Sequence, residues 1–86
     1  MDDFEILKTC VNTLTNQLFN LNSIVQNMTT QTAYLTNIYN DKSVTYDIAK
    51  LETKSSMGFF NIQTESIIGQ KNIIQGLIDD ISKLVN

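Results

Sequence analysis

Apolar residues recur along this chain at alternating intervals of three and four, from one end to the other. One series steps by seven from Phe4: Phe4, Val11, Leu18, Val25, Thr32, Tyr39, Tyr46, Thr53, Phe60, Ile67, Ile74, Ile81. The second steps by seven from Leu7: Leu7, Leu14, Leu21, Met28, Leu35, Lys42, Ala49, Ser56, Gln63, Gln70, Leu77, Leu84. Interleaved, they form the a and d positions of a heptad repeat, which places both series on one stripe of an α-helix. A helix with such a stripe needs another helix to cover it. The pattern therefore predicts an all-α chain whose function is association.

Two architectures satisfy the repeat. In the first, residues 1–86 form one long helix of roughly 130 Å, at 1.5 Å per residue, in a homo-oligomeric coiled coil. The unbroken register supports this rod. In the second, the chain turns near residues 40–45. Two helices, about 4–39 and 45–85, then form a hairpin that dimerises into a four-helix bundle. Asn40-Asp41-Lys42-Ser43 is the strongest turn signal in the chain, and Lys42 puts a charge on a d position. Ser55-Ser56-Met57-Gly58 is a weaker candidate break. Asp2 or Asp3 can cap the first helix, and Ser43 or Thr45 the second. The unbroken register makes the rod the first expectation and the hairpin its alternative.

The expected oligomer interface is the strong part of the repeat: Phe4, Leu7, Val11, Leu14, Leu18, Leu21, Val25, Met28, Leu35, Tyr39, Tyr46, Phe60, Ile67, Ile74, Leu77, Ile81 and Leu84. Val or Ile at a with Leu at d suits two helices. The apolar g residues Ile24, Ile38, Phe59 and Ile73 widen the stripe, and the aromatic layers need room. Together these favour a trimer or tetramer of the chain, with a dimer also admissible. Gln63 and Gln70 occupy d positions. Buried, they set the register of the helices at some cost in stability; rotated outward, they are ordinary surface residues.

Composition narrows the function class. The 86 residues contain six Lys and Arg, nine Asp and Glu and no His, for a net charge of −3. The lysines are dispersed, so the clustered cations that nucleic acid requires are missing. No run approaches the ~20 apolar residues of a membrane span. The acidic start MDDFEILK lacks the apolar core of a signal peptide, which suits a soluble protein. One cysteine, Cys10, with no histidine makes neither a disulfide nor a zinc site, nor an activated thiol. It reads as a small buried apolar residue. No catalytic residue, metal or cofactor is expected.

From Thr9 to Asn40 there is no charged side chain; the polar face is Asn, Thr, Gln and Ser. These residues are weaker helix formers than Glu and Lys, so the helix must rely on burial of its stripe. Such uncharged surfaces occur in viral stalks and fibres, and also in chains encoded by AT-rich genomes. The functional expectation is thus a non-enzymatic coiled-coil assembly protein, in its specific form a viral or phage structural component of the virion or host cytoplasm. The alternative is an adaptor or chaperone-like hairpin that offers Ile67, Ile73, Ile74, Ile78 and Ile81 to a different protein partner.

Overall fold

A computed structural model describes residues 2–86. It consists of two helices, α1 (Asp3–Asn40) and α2 (Tyr46–Val85), joined by a short turn. The Asp2 carboxylate caps α1 by accepting the Glu5 N–H at 2.8 Å. The Thr45 hydroxyl caps α2 by accepting the Ile48 N–H at 3.3 Å. Each cap satisfies one of the donors that a helix start leaves unpaired.

The turn is built by Asp41. Its carboxylate accepts the Ser43 N–H at 2.9 Å and the Ser43 hydroxyl at 2.6 Å. Its carbonyl accepts the Val44 N–H at 3.1 Å. An aspartate that binds the backbone two residues on offers the chain an alternative to helical hydrogen bonding. The chain therefore folds back, and the long continuous helix expected first is not formed. Lys42 lies exposed in the turn, where the charge that was unfavourable on a seam keeps its water. Of the two architectures, the chain adopts the helical hairpin, with extents of 64 × 17 × 16 Å. No break occurs at residues 55–58, because α2 is helical throughout.

Three side-chain bonds between the helices set their register. Gln31 Nε2 donates to Ser56 Oγ at 2.8 Å. On one flank the Tyr34 hydroxyl donates to Glu52 at 2.9 Å, and on the other Tyr39 and Thr53 share a short hydroxyl–hydroxyl bond. Stepping seven residues from the Gln31–Ser56 pair along each antiparallel helix brings Ile24 opposite Gln63, Gln17 opposite Gln70, and Cys10 opposite Leu77. The same stepping sets the alternate layers, with Leu35 level with Thr53, Met28 with Phe60, Leu21 with Ile67, Leu14 with Ile74, and Leu7 with Ile81.

The interior is slight. Leu35 is the one buried apolar residue and Ser56 the one buried polar residue among those described. Ser56 is small enough to admit close helix approach, and its hydroxyl is answered by Gln31. The threonines meet their own polar needs locally. Thr9, Thr13, Thr15, Thr29, Thr36, Thr53 and Thr64 each donate their hydroxyl to the carbonyl four residues back. Such back-bonding satisfies each hydroxyl but slightly destabilises and bends a helix, so α1 depends on its packing rather than on its polar surface.

Candidate functional site

The two helices do not use the same rows of the heptad. α2 faces its partner with the expected a and d residues. Phe60, Gln63, Ile67, Gln70, Ile74, Leu77, Ile81 and Leu84 are all half-buried. α1 faces its partner with d and g. On these rows Leu7, Cys10, Leu14, Gln17, Leu21, Ile24, Met28, Gln31, Leu35 and Ile38 are half-buried or buried, with Ile6 and Thr13 half-buried beside the d row. At 100° per residue, the contact stripe of α1 is turned by roughly 60° from the a/d stripe.

This rotation leaves the a row of α1 outside the hairpin. Phe4 is 66 % exposed, Val11 49 %, Leu18 50 %, Val25 46 % and Tyr39 54 %. The rows that α1 turns inward include Cys10, Gln17 and Gln31, so the hairpin covers a more polar row and leaves a more apolar one open. Tyr46, at the start of α2, is 79 % exposed. Thus the expected interface residues divide into two sets. Leu7, Leu14, Leu21, Met28, Leu35, Phe60, Ile67, Ile74, Leu77, Ile81 and Leu84 meet inside one chain. Phe4, Val11, Leu18, Val25 and Tyr46 do not, and Tyr39, 54 % exposed, reaches α2 through its hydroxyl bond to Thr53.

The open row ends at a groove near the turn. It is lined by Tyr39, Tyr46, Ala49, Lys50, Thr53, Lys54 and Met57 and encloses about 570 Å³. Two aromatic rings, Ala49 and Met57 form its apolar part, and Lys50 and Lys54 stand one turn apart on α2. Neither lysine has an ion-pair partner among the described residues, where the Lys8–Glu5 contact at 3.4 Å is the one ion pair. Ile78 and Val85 share the heptad position of Lys50 and Met57, so they continue the same side of the hairpin; they are 43 % and 63 % exposed.

Gln63 and Gln70 both lie in the seam rather than in solvent. Gln70 faces Gln17, and the side-chain carbonyl oxygens of both are buried without a hydrogen-bond partner. The g row of α1 was the part the heptad reading missed. Ile24 and Ile38 signalled it by widening the stripe; Gln17 and Gln31 carried no signal, being polar on a helix rich in polar residues. The Ile-rich face considered for a foreign partner is divided by the fold. Ile67, Ile74 and Ile81 point to α1, whereas Ile73 and Ile78 are exposed.

Among the described residues two ionisable groups are shifted. The Tyr34 hydroxyl is held above its usual pKa, first because its proton is donated to Glu52, then by desolvation and by the Glu52 charge. Asp41 is held below the usual carboxylate range by the Ser43 hydroxyl and then the Ser43 N–H. Both belong to the hairpin's own structure. Among the described residues, no group of three or more His, Cys, Asp or Glu could hold a metal ion, and no helix is long and apolar enough to cross a membrane. The fold defines an all-α helical hairpin of coiled-coil type. No family model, curated protein or solved structure matches it.

Proposed function

We propose that this chain is a non-enzymatic assembly protein whose hairpins associate with one another through the a row of α1. The observation that carries the reading is the exposed a row of α1 beside the two rows that face α2. Its g and d rows meet α2, whereas Phe4, Val11, Leu18 and Val25 are about half exposed or more, and within the a row Tyr39 reaches α2 through its hydroxyl bond to Thr53. A helix in a four-helix bundle has two neighbours and needs this wide stripe, whereas a helix in an isolated pair needs only two rows. The energetics agree. Fully burying a Val, Leu or Phe side chain stabilises by about 1.5–3 kcal/mol. A two-helix chain with one buried apolar residue gains little of that to set against the ordering of its backbone. The specific form, a viral or phage structural component, is supported only by the uncharged Asn- and Thr-rich surface.

Sedimentation equilibrium of the unmodified chain tests the reading. The expected mass is a multiple of the 9.7 kDa chain, with a melting temperature that rises with concentration. Leu18→Lys/Val25→Lys should lower the association constant by at least about a hundredfold, since each change removes roughly 1.5 kcal/mol or more of apolar burial. A single-chain mass for the unmodified protein at 100 µM and above would refute self-association. A second reading would then stand, the adaptor for a different protein. Its support is the outer side of α2, where Leu51, Ile62 and Ile68 are 68 %, 62 % and 54 % exposed, away from the a row of α1.

A further inference from the structure

Resting on that self-association reading, we infer that the assembling unit is a two-fold dimer of hairpins with their turns at opposite ends. In it, Phe4 of each copy seats in the Tyr39–Tyr46 groove of the other. Three observations lead there: the symmetry of the open row, the distribution of charge, and the match between Phe4 and the groove.

The open row of α1 is Phe4, Val11, Leu18, Val25, Thr32 and Tyr39, evenly spaced by seven. Two such rows laid antiparallel about a two-fold axis between Leu18 and Val25 meet in complete register. Leu18 then packs on Val25 of the second copy, Val11 on Thr32 and Phe4 on Tyr39. Every member has a counterpart, and the one polar member, Thr32, meets Val11 rather than a second threonine. Isologous contacts of this kind close on themselves and stop at two copies. Two hairpins place four helices around one core, the number that the wide stripe of α1 requires.

Charge selects the orientation. The end of the hairpin that carries both chain termini holds Asp2, Asp3, Glu5, Asp79 and Asp80 against Lys8 and Lys83. Five acids against two bases account for the whole net charge of −3. The turn end is balanced, with Asp41, Asp47 and Glu52 against Lys42, Lys50 and Lys54. So is the middle, with Glu65 and Lys71. Hairpins packed with their turns together would bring the two acidic ends side by side. Turned end for end, the acidic ends separate by most of the 64 Å length, several times the Debye length of about 8 Å at physiological salt.

The same reversal puts complementary groups in contact. Asp2, Asp3 and Glu5 neighbour Phe4 in the chain and outnumber the Lys8 ammonium over its ring, and Lys50 and Lys54 line the groove that receives it. Phe4 remains 66 % exposed although the Lys8 ammonium sits 4.5 Å from its ring centroid. An aromatic ring with adjacent carboxylates fits a groove of aromatic rings with adjacent ammoniums.

The distance between the two turns decides the matter. Lys42 is exposed in the turn, so a nitroxide at Lys42→Cys disturbs no packed face; Cys10, half-buried in the α1–α2 seam, is replaced by the small apolar Ala so that one site alone is labelled. The label's intermolecular distance is read by double electron–electron resonance, and particle mass by light scattering. A two-chain mass with a spin–spin distance near 60 Å is the expected result, from the 64 Å hairpin length. A two-chain mass with a distance of roughly 20 Å, the spacing of neighbouring helices plus label arms, would overturn the orientation while leaving self-association intact. A mass of three or more chains would overturn the two-fold unit. A single-chain mass would remove the self-association reading itself. A second variant addresses the groove separately. Lys50→Glu/Lys54→Glu should weaken dimerisation about three- to tenfold at low salt, as expected of exposed charge pairs, with the loss fading at 1 M salt. An unchanged dissociation constant would overturn the seating of Phe4.

Discussion

Replacing the facing glutamines Gln17 and Gln70 by leucine should stabilise the hairpin, and the size of the gain follows from their surroundings. Both side-chain carbonyl oxygens are buried without a partner, in a layer flanked by the Leu21–Ile67 and Leu14–Ile74 layers. A buried acceptor left unpaired costs about 1–3 kcal/mol. The residues are half-buried rather than fully enclosed, so the lower part of that range applies, about 1 kcal/mol for each. Leucine also adds apolar burial against its neighbours. Each single variant should therefore gain roughly 1 kcal/mol, and the double variant roughly 2–3 kcal/mol, any departure from additivity reporting the contact between the two facing residues. For a chain of this size, 1 kcal/mol moves the melting temperature by roughly 4–8 °C. The assay is thermal and urea unfolding by circular dichroism of the unmodified chain, both singles and the double. All four are held at one protein concentration, because association contributes to apparent stability. The reasoning is refuted if both singles lose stability and the double recovers it. That pattern would mean the two amides bond to each other, with a coupling energy the open carbonyls do not suggest.

Other perturbations probe the turn, the seam and the helix surface. Lys42→Leu should change stability by less than about 0.5 kcal/mol, the usual range for a surface site; a marked rise in melting temperature would instead indicate a d layer inside a continuous helix. Ser56→Leu should destabilise by about 1–3 kcal/mol, because it overfills a buried site and leaves Gln31 without its acceptor; chemical denaturation that finds no loss would contradict that packing. Gly69→Ala and Gly76→Ala should each stabilise by about 0.5–1 kcal/mol, since an added Cβ meets nothing within 4 Å at either position; unfolding midpoints check this. Asp41 is depressed below its ordinary value by Ser43. Its contribution to stability is therefore present above the ordinary aspartate range and lost as pH falls through the lower folded value, below about pH 4. Melts from pH 5 to pH 2 should show a smaller acid loss in Asp41→Asn than in the unmodified chain.

Helicity, and the residues able to form a seam, were legible in the sequence because both are local. A period of three and four places side chains on one face of a helix whatever the rest of the chain does. The caps at Asp2 and Thr45 were also local, each a side chain within three residues of the N–H it accepts. The turn was half-legible. Asp41 and Lys42 announced it, yet the heptad phase continued across it. Phase cannot separate one helix from two, because a turn of suitable length preserves it.

Which rows face inward was not legible. The heptad identifies the a and d rows of α1 as apolar, with Ile24 and Ile38 beside them on g, but it does not say which two rows a given neighbour covers. That depends on the angular setting of α1 against α2. Near the turn, Gln31–Ser56, Tyr34–Glu52 and Tyr39–Thr53 hold that setting, and none of these pairs is apolar. Sequence alone determined that this chain is helical and carries more apolar surface than one seam can bury, because helix periodicity is a property of neighbouring residues. Only the tertiary structure decided that Leu35 is enclosed while Leu18 and Val25 stay open, because burial depends on where the second helix lies, and contacts between residues far apart in the chain set that.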